Sequence, residues 1–134
     1  MIKFSDIKFK AVLVGAIADN AGTLLLMTLL AAALVSTGLS EDEVMTRMKS
    51  TSGLLLGLIL GLGCTVLGGF FAGKIAGRAE VLHGVLVAIA GMIMALIFRE
   101  TGTPLWFDVA GLVGMLPAGI AGGRLAQKHR AKLK

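Results

Sequence analysis

Four polar residues stand out in an apolar chain as candidates for chemistry: Asp19, Lys74, His83 and Asp108. Asp19 lies about nine residues into an apolar run that follows Lys10, which places its carboxyl group about 13 Å from the start of that run in a helix. If the run spans a membrane, an acid at this depth is costly and is typical of a site that takes up a proton, an ion or a substrate.

Two interpretations of Asp19 stay open. In the functional one, its carboxyl group is a protonatable site that couples to an ion or a substrate. In the structural one, the helix slides until Asp19 lies near the inner interface, pairs with Lys74 and holds the helix in register. Its neighbours at helical spacing include Gly15 and Gly22, so Asp19 is predicted to face other helices, with Lys74 and His83 as candidate partners.

Other kinds of chemistry have little support in the sequence. Asp108 is expected one turn inside the last helix, where Arg99 and the positive end of the helix dipole stabilise it, so a structural anchor is the better interpretation. Two histidines, one cysteine and no tyrosine leave few groups for acid-base or nucleophilic catalysis. We therefore expect a protein that is not an enzyme, and we predict no metal site and no cofactor, because no cluster of Cys and His is present.

Long apolar runs dominate the rest of the chain. Hydrophobic residues make up 56% of the 134 positions, far more than in a soluble domain of this length. They gather in runs of about twenty residues without a charge, the length that a helix needs to cross about 30 Å of hydrocarbon. No stretch alternates apolar and polar residues as a membrane β-strand does. The predicted fold class is therefore all-α, a polytopic membrane protein with four transmembrane helices in an antiparallel bundle, and its first partner is the lipid bilayer.

The whole chain is predicted to form a single membrane domain. The four spans are expected at about 11–38, 53–78, 81–98 and 104–126. Thr103 and Pro104 supply an N-cap and a first helical residue for the last span. Ser40 followed by Glu43 is a capping box, which predicts a short outer surface helix at about 41–50.

Positive charges predict the orientation. Lys and Arg resist translocation, so the side richer in them stays in the cytoplasm. One side of the predicted spans holds ten of the thirteen: Lys3, Lys8, Lys10, Lys74, Arg78, Arg124, Lys128, Arg130, Lys132 and Lys134. The other side holds Arg47, Lys49 and Arg99. We expect a multi-pass protein of the inner (cytoplasmic) membrane with both termini in the cytoplasm. The net charge of +5 does not indicate nucleic-acid binding, since the basic residues flank apolar runs.

Small residues recur at every fourth position of the second span. The glycines of this series are Gly53, Gly57, Gly61, Gly69, Gly73 and Gly77. The last span ends in a similar run that contains Gly114 and Gly122. Small residues let two membrane helices approach closely, where little hydrophobic force acts between them. These glycines are therefore predicted to form helix-packing faces of the glycine-zipper kind.

Two stretches carry a family resemblance. Residues 68–78 read Gly-Gly-Phe-Phe-Ala-Gly-Lys-Ile-Ala-Gly-Arg and are followed by His83-Gly84, while residues 14–19 read Val-Gly-Ala-Ile-Ala-Asp. This pattern resembles small uncharacterised prokaryotic four-helix membrane proteins with a GGxxAGxxAGR...HG glycine motif. The resemblance implies a fold and no chemistry, since the family has no assigned activity, and it draws attention to Asp19 and His83.

Two functions follow from these observations. In the first, the chain is a non-enzymatic packing or assembly component that associates through its glycine-rich helix faces, as a homo-oligomer or within a larger membrane complex. In the second, it is a small oligomeric transporter or ion pathway that uses the intramembrane acid Asp19.

Overall fold

The computed structural model describes residues 7–99 and 101–133, so Lys3 and Lys134 of the charge count lie outside the described residues. The described residues form helices and no β-strand: α1 (Phe9–Ser36), α2 (Glu41–Lys49), α3 (Thr51–Ala76), α4 (Glu80–Ile97) and α5 (Leu105–Ala131). All but α2 are long and apolar enough to cross a membrane. The predicted all-α, multi-pass fold is confirmed.

The helix ends lie within one or two residues of the predicted ones, with one exception at the end of the chain. The last helix runs to Ala131 rather than ending near residue 126. Its last turn is basic, and positive charges stabilise the negative end of a helix dipole, so the polar tail continues the helix. The N-cap of α5 is Pro104 and not Thr103, because the Thr103 hydroxyl group donates to the Asp108 carboxylate instead, with 3.4 Å between Oγ1 and Oδ1.

The short helix α2 begins with the predicted capping box. The Ser40 backbone N–H donates to Glu43 Oε2 over 2.8 Å, and the Glu43 N–H donates to Ser40 Oγ over 3.4 Å. The bond from the Ser40 backbone, together with that from its hydroxyl group, lowers the pKa of the Glu43 carboxyl group below its ordinary value. Val44 is buried against the spanning helices and attaches α2 to them.

A tight turn joins α3 to α4. Gly77 ends α3 in the left-handed conformation, with φ at 66°, and donates its N–H to the Gly73 carbonyl group. Ala79 is also left-handed, with φ at 48°, immediately before α4. Gly77 therefore serves as the helix C-cap, where a left-handed conformation favours glycine, and a Cβ added to it would meet no heavy atom of the described residues within 4 Å.

The spanning helices form a diamond with α3 and α4 at its centre. Each of these two contacts the other and both α1 and α5, whereas α1 and α5 do not meet within the described residues. Consecutive spanning helices are antiparallel, so the pairs α1/α4 and α3/α5 run parallel. A side chain on the inward face of α1 therefore meets α3 and α4.

The bundle has two halves that differ in burial. We call the half that contains the start of α1, the end of α3, the start of α4 and the end of α5 the basic half, and the other the α2 half. The buried residues of α1 and α5 all belong to the basic half or to its border: Ala11, Gly15, Asp19, Ala118, Gly119, Gly122, Gly123 and Ala126. In the α2 half, large side chains such as Leu25 and Leu29 are exposed, as expected of a surface that lipid covers.

Candidate functional site

Asp19 lies where α1 meets α3 and α4. At 1.5 Å per residue, it is about 15 Å from the first residue of α1, well inside the spanning segment. Asp19 is buried, with 5% of its surface exposed. One turn before it, Gly15 packs on Gly68 of α3 and Val87 of α4. These contacts fix the rotation of α1, so that Asp19 points into the bundle.

The partner of the Asp19 carboxyl group is Thr65 of α3. Thr65 Oγ1 lies 3.2 Å from both Asp19 Oδ1 and Asp19 Oδ2, and 3.2 Å from the Gly61 carbonyl oxygen. Thr65 is itself buried. Thr65 was not predicted as a site residue, although it occupies a position of the four-residue series where glycine is otherwise the rule.

Two glycines make room for the carboxyl group. A Cβ atom added at Gly91 of α4 would lie 3.3 Å from Asp19 Oδ2 and 3.7 Å from Met115 Sδ of α5. A Cβ atom added at Gly68 would lie 2.9 Å from Asp19 Cβ. Helices α3 and α4 thus surround the Asp19 carboxyl group, with Met115 of α5 near Gly91, and the absent side chain of Gly91 leaves the space beside the Asp19 oxygen.

The predicted pairing of Asp19 with Lys74 is wrong. Among the residues that the structure describes, no Lys, Arg or His nitrogen lies within 4 Å of the Asp19 carboxylate. Lys74 is exposed, and its Nζ lies 5.9 Å from the centroid of the Phe70 ring. Lys74 follows Thr65 by about two and a half helical turns, so the two side chains leave α3 on opposite faces.

His83 is not a partner of Asp19 either. Its ring is fully buried, Nε2 accepts a hydrogen bond from the Lys8 backbone N–H over 3.0 Å, and Nδ1 lies 3.0 Å from the Ala79 carbonyl oxygen. This pattern places the ring proton on Nδ1, which donates to Ala79. His83 lies about 12 Å along α4 from Gly91, the residue beside Asp19. It ties the start of α1 to α4.

Asp108 lies at the far end of the α2 half and takes no part in the site. Its Oδ2 accepts hydrogen bonds from Arg99 Nε over 2.8 Å and from Arg99 Nη2 over 2.7 Å. This ion pair links the start of α5 to the segment that follows α4. The residue therefore anchors a helix end.

The predicted packing glycines have several different surroundings. Four of them face another spanning helix of the same chain: Gly69, Gly73, Gly114 and Gly122. Gly53 packs on the backbone that ends α2, Gly57 touches the side chain of Met27, and Gly61 has no heavy atom within 4 Å of an added Cβ. A four-residue spacing drifts by about 40° per step around a helix of 3.6 residues per turn. One stripe therefore cannot face one partner along all of α3.

Close backbone contacts also involve five glycines outside the predicted set: Gly15, Gly68, Gly84, Gly119 and Gly123. A Cβ added at Gly15 would lie 2.6 Å from the Gly68 carbonyl oxygen, and one added at Gly84 would fall on the Gly119 carbonyl group. These glycines join α1 to α3 and α4 to α5. Their positions do not follow the four-residue series that drew attention to α3.

Comparison with known proteins found no matching family model, no matching curated protein and no matching solved structure. The resemblance to small prokaryotic four-helix membrane proteins therefore stays a prediction.

Proposed function

We propose that this chain is a small, non-enzymatic membrane transport protein in which Asp19 binds a proton or a monovalent cation during its passage across the bilayer. One observation carries the proposal. Asp19 lies buried within a spanning helix, and its carboxyl group meets the Thr65 hydroxyl group but no basic side chain of the described residues.

The charge of Asp19 explains why this arrangement suits a binding site. A charged carboxylate in the middle of a membrane helix costs about 2.5–3.5 kcal/mol on insertion scales. A proton or a bound cation removes that charge, and so the carboxyl group gains from taking one up. The structural interpretation, in which Asp19 fixes helix register, relied on a pairing with Lys74 that the structure does not contain.

The atoms around Asp19 indicate the class of ion. The polar ones are the oxygens of the carboxyl group and of the Thr65 hydroxyl group, and the Gly61 carbonyl oxygen lies 3.2 Å from that hydroxyl oxygen. Ca²⁺ takes six to eight oxygen ligands, and Mg²⁺ demands an octahedral set. No group of three His, Cys, Asp or Glu side chains that could hold a metal occurs among the described residues. One negative charge with few oxygens suits a proton or a monovalent cation.

The charge distribution supports the proposed orientation in an inner membrane, with both termini cytoplasmic. The described basic residues of the basic half are Lys8, Lys10, Lys74, Arg78, Arg124, Lys128, Arg130 and Lys132. Those of the α2 half are Arg47, Lys49 and Arg99. Because Lys and Arg near helix ends stay on the cytoplasmic side, the basic half would face the cytoplasm.

Association through glycine faces, the other function that the sequence suggests, has less support. Gly69, Gly73 and Gly122 are already in contact with helices of the same chain. Gly61 of the predicted set has open space around an added Cβ. Association through the predicted glycines would therefore have to use one that no helix of the same chain covers, such as Gly61.

Ion flux in proteoliposomes tests the transport proposal. Vesicles that contain the parent chain should dissipate an imposed proton or sodium gradient faster than empty vesicles, whereas Asp19→Asn should show only the leak of empty vesicles. Asp108→Asn is the matched control, since it makes the same substitution at an aspartate outside the site. It should behave like the parent. Equal rates of gradient dissipation for the parent and Asp19→Asn would contradict the proposal.

A second pair of variants tests the role of the hydroxyl group. Thr65→Val keeps the shape of the side chain and removes the hydrogen bond to Asp19, while Thr65→Ser keeps a hydroxyl group. We expect Thr65→Val to shift the pH or the cation concentration of half-maximal flux and Thr65→Ser to leave it close to that of the parent. The same shift in both variants would show that packing, and not the hydroxyl group, determines the response.

A further inference from the structure

Aromatic and basic side chains cluster on the surface of the seam between α3 and α5, in the basic half. The Phe70 ring is at the centre: its centroid lies 5.8 Å from that of Phe71, 6.0 Å from that of His129, and 5.9 Å from Lys74 Nζ. Phe70 is half-buried and the other three residues are exposed. We call these four residues the seam cluster.

Close approach of the two helices builds the seam cluster. A Cβ added at Gly122 of α5 would fall on the α3 backbone at Val66 and Phe70, and one added at Gly73 would lie 2.8 Å from Ala126 Cβ. Side chains of a helix lean toward its N-terminus, so the ring of His129 turns back along the seam to reach Phe70.

The depth of the cluster matches the boundary of the bilayer. Lys74 lies in the last turn of α3, so its long side chain can place the ammonium group among lipid headgroups while its stem stays beside apolar residues. Phe71 and Leu67 are exposed on the preceding turns of α3, where hydrocarbon would cover them. The cluster thus has a polar edge toward the headgroups and an apolar edge toward the acyl chains.

Lys74 and His129 have no acidic side chain as a partner among the described residues. The described residues form two ion pairs among themselves, Arg99 with Asp108 and Arg130 with Glu80. Glu80, the described acid of the basic half, is therefore already bound to Arg130. Lys74 and His129 remain available to an anion that approaches from the membrane surface.

We propose that the seam cluster binds the headgroup of an anionic phospholipid. Its phosphodiester group would accept hydrogen bonds from Lys74 and from a ring nitrogen of His129, and its acyl chains would lie along Phe71 and Leu67. Basic pockets between membrane helices favour such headgroups. An acidic protein segment is a poorer fit, because the apolar edge of the cluster faces hydrocarbon. This proposal does not depend on transport by Asp19.

Thermal unfolding of the purified full chain in mild detergent tests the proposal. The additives are phosphatidylglycerol, phosphatidylcholine with the same acyl chains, and inorganic phosphate. We expect phosphatidylglycerol to raise the Tm of the parent by several degrees and the other two to leave it unchanged. The double variant Lys74→Gln/His129→Gln should lose most of this shift, whereas Arg47→Gln/Lys49→Gln, which removes two basic residues from the α2 half, should keep it.

Three results would overturn the proposal: a full shift in Lys74→Gln/His129→Gln, an equal shift with phosphatidylcholine, or no shift of the parent. A shift with inorganic phosphate alone would assign the cluster to free phosphate and reject the lipid. All four substituted positions are exposed, and the Tm without lipid reports whether each variant folds. If one is destabilised, the number of phosphatidylglycerol molecules retained in native mass spectra provides the same comparison.

Discussion

The basic half and the α2 half of the bundle use the same kinds of residues and pack differently. In the basic half, Gly84 and Gly119 meet backbone to backbone, and Val87 and Ala88 are fully buried. In the α2 half, Gly53 packs on the backbone that ends α2, but the glycines between spanning helices meet the ends of flexible side chains, namely Met27 on Gly57, Leu58 on Gly111 and Leu62 on Gly114. The first kind of contact resists any displacement of a helix, while the second adapts to it.

Asp19 lies at the border between the two kinds of packing. On its basic side, Gly15 is locked against the Gly68 backbone; on its other side, Gly22 faces the Cys64 side chain. If Asp19 binds an ion as proposed, the basic half would hold its carboxyl group in place and the α2 half would supply the movement that transport requires.

The largest effect is expected where two backbones touch. The Cβ atom of Gly84→Ala would collide with the Gly119 carbonyl group and lie 3.0 Å from the Gly123 nitrogen. Since neither backbone can yield without moving a helix, the free energy of unfolding should fall by about 3 kcal/mol or more. Reversible unfolding in mixed detergent micelles measures this loss.

Gly61→Ala is the matched control. Its added Cβ has no heavy atom within 4 Å, and alanine favours a helix more than glycine does. We expect no loss of stability for this variant. Similar losses for Gly84→Ala and Gly61→Ala would contradict the contrast between the halves.

A second pair of variants compares the two sides of Asp19 on α1. The added Cβ of Gly15→Ala would lie 2.6 Å from the Gly68 carbonyl oxygen and 2.7 Å from Val87 Cγ2, whereas that of Gly22→Ala would lie 3.3 Å from Cys64 Sγ, which can rotate away. We expect Gly15→Ala to lower the free energy of unfolding by about 2 kcal/mol and Gly22→Ala by about 0.5 kcal/mol. The same unfolding assay ranks them, and a reversed order would show that α1 is held from the α2 side.

The ion pairs at the two ends allow a smaller test. Arg130 Nη1 lies 2.7 Å from Glu80 Oε1, whose side chain is 7% exposed, and it also donates to the Gly77 carbonyl group. Removing Arg130 leaves a buried carboxylate without a partner, so Arg130→Gln should cost about 2 kcal/mol, less than a fully buried pair because Arg130 is half exposed.

The corresponding variant in the α2 half is Arg99→Gln. The side chains of Arg99 and Asp108 are 54% and 19% exposed, so water already solvates much of this pair. Removing this ion pair should lower the free energy of unfolding by less than about 1 kcal/mol, and by still less in high salt. Unfolding measured at two salt concentrations compares the two variants. If Arg130→Gln and Arg99→Gln lower the free energy of unfolding equally, burial does not determine the strength of these ion pairs.

The smallest effect is expected in α2. Hydrogen bonds from Ser40 lower the pKa of Glu43, so this carboxylate stabilises the helix start at pH values above its ordinary pKa. The stabilisation should disappear as the pH falls through the lowered value in the folded state. Hydrogen exchange of α2 amides should accelerate in that acidic range, while the spanning helices keep their protection. Glu43→Gln should show no such pH dependence. If the exchange rates of α2 amides depend on pH in the same way in the parent and in Glu43→Gln, the capping box is not the cause of that dependence.

Much of the fold was predictable from single segments of the sequence. The length and hydropathy of each apolar run predicted a spanning helix. The small residues Gly15 and Gly22 indicated that the face of the first helix that carries Asp19 points inward. Ser40 and Glu43 predicted the start of α2 because a capping box is a local interaction. The end of α5 was missed, since the tail beyond Ala126 is polar and its helix depends on continuation from the preceding turns.

The partner of Asp19 was not predictable from charge. Lys74 and His83 were predicted as partners because they are basic and lie before and after the short turn between α3 and α4. In the structure, α3 presents Thr65 to α1, and Lys74 lies on the opposite face of the helix. The interruption of the glycine series at Thr65 is a signal that could have identified it. That signal becomes informative once α3 is known to pack on α1.

By itself, the sequence determined the number of membrane helices, their antiparallel order and the inward direction of one acid. These properties depend on hydrocarbon thickness and on the periodicity of a single helix. Only the packed bundle shows that Thr65 contacts Asp19, that Gly84 meets Gly119 and that the glycine contacts differ between the two halves. Which faces meet depends on the rotation of all four helices at once, and no single segment contains that information.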